Sequence, residues 1–370
     1  MDPATTAARS PAHGTPASTA ARSDPVVWLI LSEKTGDNAQ LLALAEALPW
    51  PCLVKRVAVR EPYQLGKPRV TASLHHIDPG RSDPLQPPWP DLVITIGRRM
   101  SMVALWIQSQ AGGLTKLVLL GAPKRLASHF DLTVVSDQYR RAHRSNEMRI
   151  TYPLQRIDEA SIAAEAEARR DEFAQFPRPL IALLVGGSTK AIRFDAAVAA
   201  RLARDVADLA AKEHGTLLVT TSRRTPPDVM EVLARDLPPD ATLFRWAAGG
   251  DGSQNSYRAL LGLADRFIVT SDSLSMMMEI ARLGRPLAIY PLPSSSWLAR
   301  TSVAARSRIA KRLTAIGRHR DLAAIPEALV KDGFAVWFGE RFQLTGRRPA
   351  DDLTQVAEQV IALVQRRGAI

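Results

Sequence analysis

Between Thr270 and Glu279 the chain reads TSDSLSMMME, a group of hydroxyls and carboxylates spaced to meet a phosphorylated ligand. Ser271, Asp272 and Ser273 make a polar turn after the apolar run 267–270. A helical period follows, with Leu274, Met277, Met278 and Ala281 on one face and Ser275, Glu279 and Arg282 on another. Ser273 is expected to cap this helix and Gly284 to end it. The amides from Ser273 through Ser275 to Met276 would then face the carboxyl edge of a parallel sheet, where open α/β sheets bind phosphates. Glu279, one turn along, can accept hydrogen bonds from two vicinal ribose hydroxyls. A capped helix on a core would use the same residues, and the three methionines are expected in that core.

Further clusters end other apolar runs. Gly187 and Ser188 in Gly186-Gly187-Ser188-Thr189 can bring backbone amides up to a phosphate, and Thr189 adds a hydroxyl. A plain turn would also suit this sequence. Thr221, Ser222, Arg223 and Arg224 follow the run 216–220; two adjacent guanidiniums can pair with a diphosphate or form a solvated turn. Asn255 and Tyr257 stand before a short helix that leads into the 267–292 unit. In the first half, Glu33, Lys34, Gly36 and Asp37 follow one strand pattern, and Gly97, Arg98 and Arg99 follow another. There the arginines would hold an anionic acceptor while Asp37, with Glu33 in reserve, takes a proton from its hydroxyl. Asp37 or Asn38 would otherwise only cap a helix over 40–48. His75 and His129 are expected at the surface.

The elements that must carry these groups alternate. Strand patterns fall at 26–31, 54–59, 91–96, 116–120 and 132–135, then again at 180–185, 216–220 and 267–270. Helical patterns between them fall at 40–48, 101–110 and 196–212, and the Pro-rich stretch 61–90 reads mostly as loop. Such alternation predicts an α/β fold with doubly wound parallel sheets. Two series, each with its own loop edge, divide the chain into a tail at 1–24, a first domain at 25–155, a helix and linker at 156–177 and a second domain at 178–335. The segment 336–370 carries a last helix, over 351–366, expected to pack back across the cleft.

Composition narrows the partners. At 370 residues and 46% hydrophobic content, the chain can build two full cores. A single cysteine, Cys52, excludes intrachain disulfides and thiolate metal clusters. No run approaches the ~20 apolar residues of a membrane span, and the first residues lack the apolar core of a signal peptide. The expectation is therefore a cytoplasmic protein. A net charge of +11 and a pI near 10.2 favour an anionic partner, either a nucleotide, a phosphorylated glycan or an acidic membrane surface. Dispersed basic residues without interleaved aromatics argue against nucleic acid. The stretch 294–320 has basic residues and no acidic ones, as a helix with a basic outer face or as a contact with the inner membrane.

Several of these segments together resemble one family, the bacterial relatives of the plant elongated-mitochondria fission factor. The matching stretches are TGDNAQ at 35–40, PDLVITIGRR at 90–99, GGSTKA at 186–191, TTSRRTP at 220–226 and TSDSLSMMMEIARLGRP at 270–286. The family is often regarded as glycosyltransferases. The resemblance implies a GT-B-like α/β fold, two Rossmann-like doubly wound domains facing a cleft, with a nucleotide-sugar donor held by the second. This chain has Asn255-Ser256-Tyr257 where the family tends to Asn-Pro-Tyr, and Met278 where it tends to a small residue. It has Ser136-Asp137-Gln138-Tyr139 in place of Pro-x-His-Asp. The leading expectation is sugar transfer from a nucleotide diphosphate to an anionic glycan or glycolipid of the cell envelope, such as a lipopolysaccharide core, with neither metal nor cofactor. A membrane-recruiting scaffold and a sugar-nucleotide epimerase are the alternatives.

Overall fold

The computed structural model describes residues 24–65, 71–121, 127–136, 144–189, 192–246, 256–293, 323–343 and 346–366. Two six-stranded sheets, parallel throughout, are built from short apolar runs. The first joins β1 (Val27–Leu31), β2 (Cys52–Arg56), β3 (Leu92–Ile96), β4 (Lys116–Leu120), β5 (Leu132–Ser136) and β6 (Glu147–Ile150) in the order β2-β1-β3-β4-β5-β6. The second joins β7 (Leu180–Leu184), β8 (Thr216–Thr220), β9 (Thr242–Phe244), β10 (Arg266–Thr270), β11 (Leu287–Tyr290) and β12 (Val336–Trp337) in the order β12-β11-β10-β7-β8-β9. Both orders are those of doubly wound folds, and the chain is GT-B-like, with two Rossmann-like units. The winding reverses between β1 and β3 in one unit and between β7 and β10 in the other, which opens a crevice at the carboxyl edge of each.

The strands read as unbroken apolar runs because helices cover both faces. Leu180, Ala182 and Leu184 of β7 enter one core, while Ile181 and Leu183 enter the core on the opposite face. Val27, Leu29 and Leu31 of β1 likewise part from Trp28 and Ile30. Each fully buried Leu or Ile contributes roughly 1.5–3 kcal/mol by leaving water. The first sheet is covered by α1 (Thr35–Glu46) and α3 (Gly97–Gln110), and α2 (Glu61–Leu65) stands beside it. Towards the second sheet come α4 (Glu159–Ala168), α5 (Arg170–Ala174), α6 (Ala196–Glu213), α7 (Pro227–Asp236), α8 (Tyr257–Leu263), α9 (Leu274–Arg282) and α10 (Ala324–Lys331). The last helix, α11 (Leu353–Gln365), returns to the first unit, where Leu353, Val356, Ala357 and Val360 complete the core under β1 and α1. Ile162 of α4 and Phe173 of α5 pack in the core of the second sheet.

Two helices begin earlier than their apolar period announces. α1 starts at Thr35 and α3 at Gly97, so Gly36, Asp37, Arg98 and Arg99 lie in first helical turns and not in loops. Polar residues are tolerated there because the first-turn amides have no partner within the helix. Gly36 has an ordinary backbone, whereas Gly97 turns at a φ of +79°. The edge strands β6, β9 and β12 are two to four residues long, too short to show an alternation. No helix among the described residues is long and apolar enough to cross a membrane. The basic stretch 294–320 and Asn255 lie outside the described residues.

Candidate functional site

At the β7/β10 crevice three loops are tied together by buried polar groups. The Asp272 side chain, fully buried, accepts from the Gly187 amide at 2.7 Å and from Arg224 Nη2 at 3.1 Å. Its other oxygen accepts from the Thr270 hydroxyl at 2.7 Å, and Thr270 Oγ1 in turn accepts from the Gly186 amide at 2.8 Å. Burial pushes the Asp272 carboxyl up, and the Gly187 amide, the Thr270 hydroxyl and Arg224 oppose that rise. Thr225 closes the third loop by donating to the Gly186 carbonyl at 2.6 Å and accepting from the Ser222 amide at 2.9 Å. The loops approach so closely that side chains are excluded. A Cβ on Gly186 would lie 2.2 Å from Asp272 Oδ2, and one on Gly187 would lie 2.0 Å from the Arg224 carbonyl oxygen. The Gly-Gly pair is required by this packing.

This arrangement divides the residues expected at the donor into two groups. Gly187 and Asp272 spend their polar atoms behind the site. The remaining hydroxyls also hold loops: Ser188 Oγ donates to Phe194 O at 2.8 Å, and Thr189 Oγ1 accepts from the Ile192 amide at 3.1 Å. Thr221 Oγ1 accepts from the Trp246 amide at 2.9 Å, Ser222 Oγ lies 3.2 Å from Thr225 Oγ1, and Ser271 Oγ accepts from the Leu292 amide at 2.9 Å. Ser273 stands at the N-cap of α9, but its hydroxyl makes no capping bond, contrary to expectation.

The second group faces outward. The amides of Leu274, Ser275 and Met276 have no acceptor among the described residues, because the first intrahelical bond of α9 runs from Met277 to Ser273 O at 3.1 Å. The Ser188 amide also donates to none of them. Arg223 is exposed and forms no ion pair among the described residues, whereas Arg224 is drawn to Asp272. Met277 and Met278, on the apolar face of the helical period, are buried in the core, and Met276 packs against it.

Glu279 lies one turn into α9, half-buried. Its Oε1 accepts from Gln155 Nε2 at 2.8 Å, and its Oε2 accepts from the Tyr257 hydroxyl. Burial pushes its carboxyl up, against the pull of these two donors, and burial beside Glu279 pushes the Tyr257 hydroxyl well up. Each carboxylate oxygen keeps a further lone pair. Sequence reasoning missed Gln155, which stands outside every motif. Ser256 is buried and accepts from Arg169 Nη1 at 2.8 Å.

The β1/β3 crevice is built differently. Neither α1 nor α3 has a side-chain cap, so two helix starts converge there with their amides outward. Asn38, expected as a cap, instead bonds Ser32, accepting from its amide at 3.0 Å and donating to its carbonyl at 2.6 Å. Asp37 does not cap α1 either; its Oδ2 lies 3.7 Å from Lys34 Nζ, and 4.0 Å from where a Cβ of Gly97 would stand. Glu33 pairs with Arg81 at 2.9 Å. Arg98 is exposed, and Arg99, partly buried, donates to the Gln64 carbonyl at 2.5 Å. The Arg99 carbonyl accepts from Nε2 of His76, which is wholly buried; burial pushes the His76 imidazole down to about 4. His75 and His129 are exposed. Among the described residues no cluster of three metal-ligating side chains occurs.

The family model described as Mitochondrial fission ELM1 matches residues 35–364. The Mitochondrial fission protein ELM1 of Arabidopsis thaliana is 30% identical over 148 residues, which span 40% of this chain and 34% of that protein. The chain thus covers about a third of the plant relative's length. An uncharacterized protein of Rickettsia prowazekii is 22% identical over 300 residues, 72% of this chain and 84% of that one. Among solved structures, a UDP-GlcNAc 2-epimerase from Neisseria meningitidis bound to UDP-GlcNAc aligns over 91% of this chain and 99% of its own, at 10% identity and a TM-score of 0.47. MurG from Acinetobacter baumannii aligns over 91% of each chain at 16% identity and a TM-score of 0.43. Likeness at this level leaves the ligand to be argued from the chain's own residues.

Proposed function

The chain belongs to the mitochondrial fission ELM1 family, and from that premise we propose a glycosyltransferase that moves a sugar from a nucleoside diphosphate to an anionic glycan or glycolipid of the cell envelope. Residues 178–335 hold the donor and 25–155 the acceptor, which is a lipopolysaccharide core or a similar glycolipid at the cytoplasmic face of the inner membrane. One observation supports the reading: at the β7/β10 crevice α9 begins with three amides that have no acceptor among the described residues and carries Glu279 further along, while Arg223, without an ion pair among those residues, stands in the loop after β8. Amides and guanidinium match a diphosphate, and the carboxylate matches the ribose diol.

In the reaction, Asp37 takes the proton of the acceptor hydroxyl as its oxygen bonds to the anomeric carbon. The bond from that carbon to the diphosphate breaks, and the charge on the departing oxygen is stabilised by the α9 amides and Arg223. Calorimetry and transfer assays with a panel of nucleotide sugars test this. Asp37→Asn should keep donor affinity and melting temperature and lose ~10²–10⁴-fold in transfer rate. Full transfer by that variant removes Asp37 as the base, and a wild-type protein that binds no member of the panel removes the donor site.

A non-enzymatic scaffold recruiting partners to a membrane is favoured by one observation, the hydrogen bond that commits Arg99 Nη2 to the Gln64 carbonyl. Donor binding without hydrolysis or transfer to envelope glycolipids would select it.

A further inference from the structure

Gln155 lies between β6 and α4, in the segment that joins the two units. That segment is pinned on both sides. Leu154 is buried in the first unit's core, Tyr152 is buried in the second unit's core, and the Tyr152 hydroxyl donates to Asp332 at 2.7 Å. Arg156 reaches back to Glu46 of α1 at 2.7 Å. Between these anchors the Gln155 amide meets α9, with Nε2 2.8 Å from Glu279 Oε1 and 3.5 Å from the Ser275 carbonyl.

We infer that Gln155 is a positioning residue for ribose recognition, holding the Glu279 carboxylate in the orientation that receives a vicinal diol. The inference rests on the donor reading above. The terminal torsion of a glutamate is broad and roughly two-fold, so the carboxylate plane is not set by its own rotamer. Here one donor engages each oxygen, Gln155 on Oε1 and Tyr257 on Oε2, and together they fix that plane. The remaining lone pairs are then left as two acceptors in a set orientation. Because Gln155 is carried by the inter-unit segment, the ribose subsite of the second unit is completed from outside its own sheet.

The test compares UDP with 2′-deoxy-UDP by calorimetry on the full chain, with the guanosine pair as a second probe. Wild type should prefer the ribonucleotide, and Glu279→Gln should lose most of that preference. Gln155→Leu should weaken the ribonucleotide by about tenfold, the weight of one lost hydrogen bond to a charged group, and weaken the deoxy form, which keeps only the 3′ hydroxyl, by clearly less. Gln155→Met, which keeps the length and removes the donor without adding charge, should do the same and serves if the leucine variant folds poorly. A general loosening of the fold would weaken both ligands alike. If both Gln155 variants keep the ribose preference while Glu279→Gln loses it, Gln155 is only a structural contact and the inference falls alone. If wild type binds neither probe pair, or shows no preference that depends on Glu279, the donor reading falls with it.

Discussion

The two crevices have the same origin, a reversal of winding beside the first strand of a parallel sheet, yet they are furnished in opposite ways. At β7/β10 a buried carboxylate, two glycines without room for a side chain and two buried threonines fasten three loops before any ligand arrives. At β1/β3 the charged groups sit near the surface in pairs such as Lys34–Asp37 and Arg81–Glu33, whose side chains are between 32% and 65% exposed. Exposed pairs of this kind are worth little, since water and salt screen them. A recognition site that must accept one invariant moiety gains from being preorganised, whereas exposed, weakly paired groups can turn towards a second substrate.

The strongest way to break this contrast is to disturb the buried tie. Asp272→Ala leaves the buried Gly187 amide and Thr270 hydroxyl without their acceptor and frees the exposed Arg224, and should cost roughly 3 kcal/mol, at ~1–3 kcal/mol per stranded buried group. Gly187→Ala forces a methyl group against backbone and should cost a similar amount. Denaturant unfolding checks both, and unchanged midpoints would mean that the crevice is not preorganised.

Acid should separate the units by sign. The His76 imidazole sits at about 4 in the folded chain, below its ordinary 6.5, so the unfolded chain binds more protons between those values. The first unit should therefore lose up to about 3 kcal/mol as pH falls from 6.5 to 4, an upper bound at full burial. Asp272 and Glu279 are raised by burial, so the folded chain binds more protons than the unfolded one above the ordinary carboxylate range. Their contribution grows as pH falls through the folded values and is lost as pH rises. Hydrogen exchange resolved by segment at pH 7 and pH 5 should show β1 and β3 losing protection relative to β7 and β10, and His76→Asn should abolish the first unit's share.

Smaller effects sharpen the division of labour between neighbours. Arg223→Ala should weaken a nucleoside diphosphate by ~1.5–3 kcal/mol without moving the melting temperature, whereas Arg224→Ala should lower the melting temperature, since Arg224 is a partner of Asp272. Smallest is Gly36→Ala, where the new methyl group meets nothing within 4 Å and the backbone is ordinary. It should change stability by no more than ~1 kcal/mol, in the stabilising direction, because glycine disfavours helices. Parallel melts of the Gly36 and Gly187 variants compare the two crevices directly.

Much of this was legible in the chain's pattern. Central strands such as Leu92–Ile96 and Thr216–Thr220 are covered on both faces and so are continuous apolar runs, while the α9 period is carried by Leu274, Met277, Met278 and Ala281. The Thr270–Glu279 cluster announced a site, but which of its polar atoms face a ligand did not show. Thr270, Asp272 and Gly187 are drawn together from segments about 85 residues apart, and pairings at such separation leave no local trace. Helix starts at Thr35 and Gly97 were hidden because first turns carry polar residues without disturbing the period. Gln155 was invisible for a simpler reason, since a lone glutamine in a connecting segment has no pattern to break.

The return of α11 to the first unit has a consequence for the order of events during synthesis. Val356 and Val360, both fully buried, line the same core as Leu29 and Leu41, more than three hundred residues earlier. Until α11 has left the ribosome, the core between α1 and the first sheet lacks part of its cover. Domains otherwise tend to fold N-terminal first as they emerge. Here the second unit, whose strands and covering helices are all made before residue 338, can close while its predecessor still exposes the apolar surface that α11 will cover.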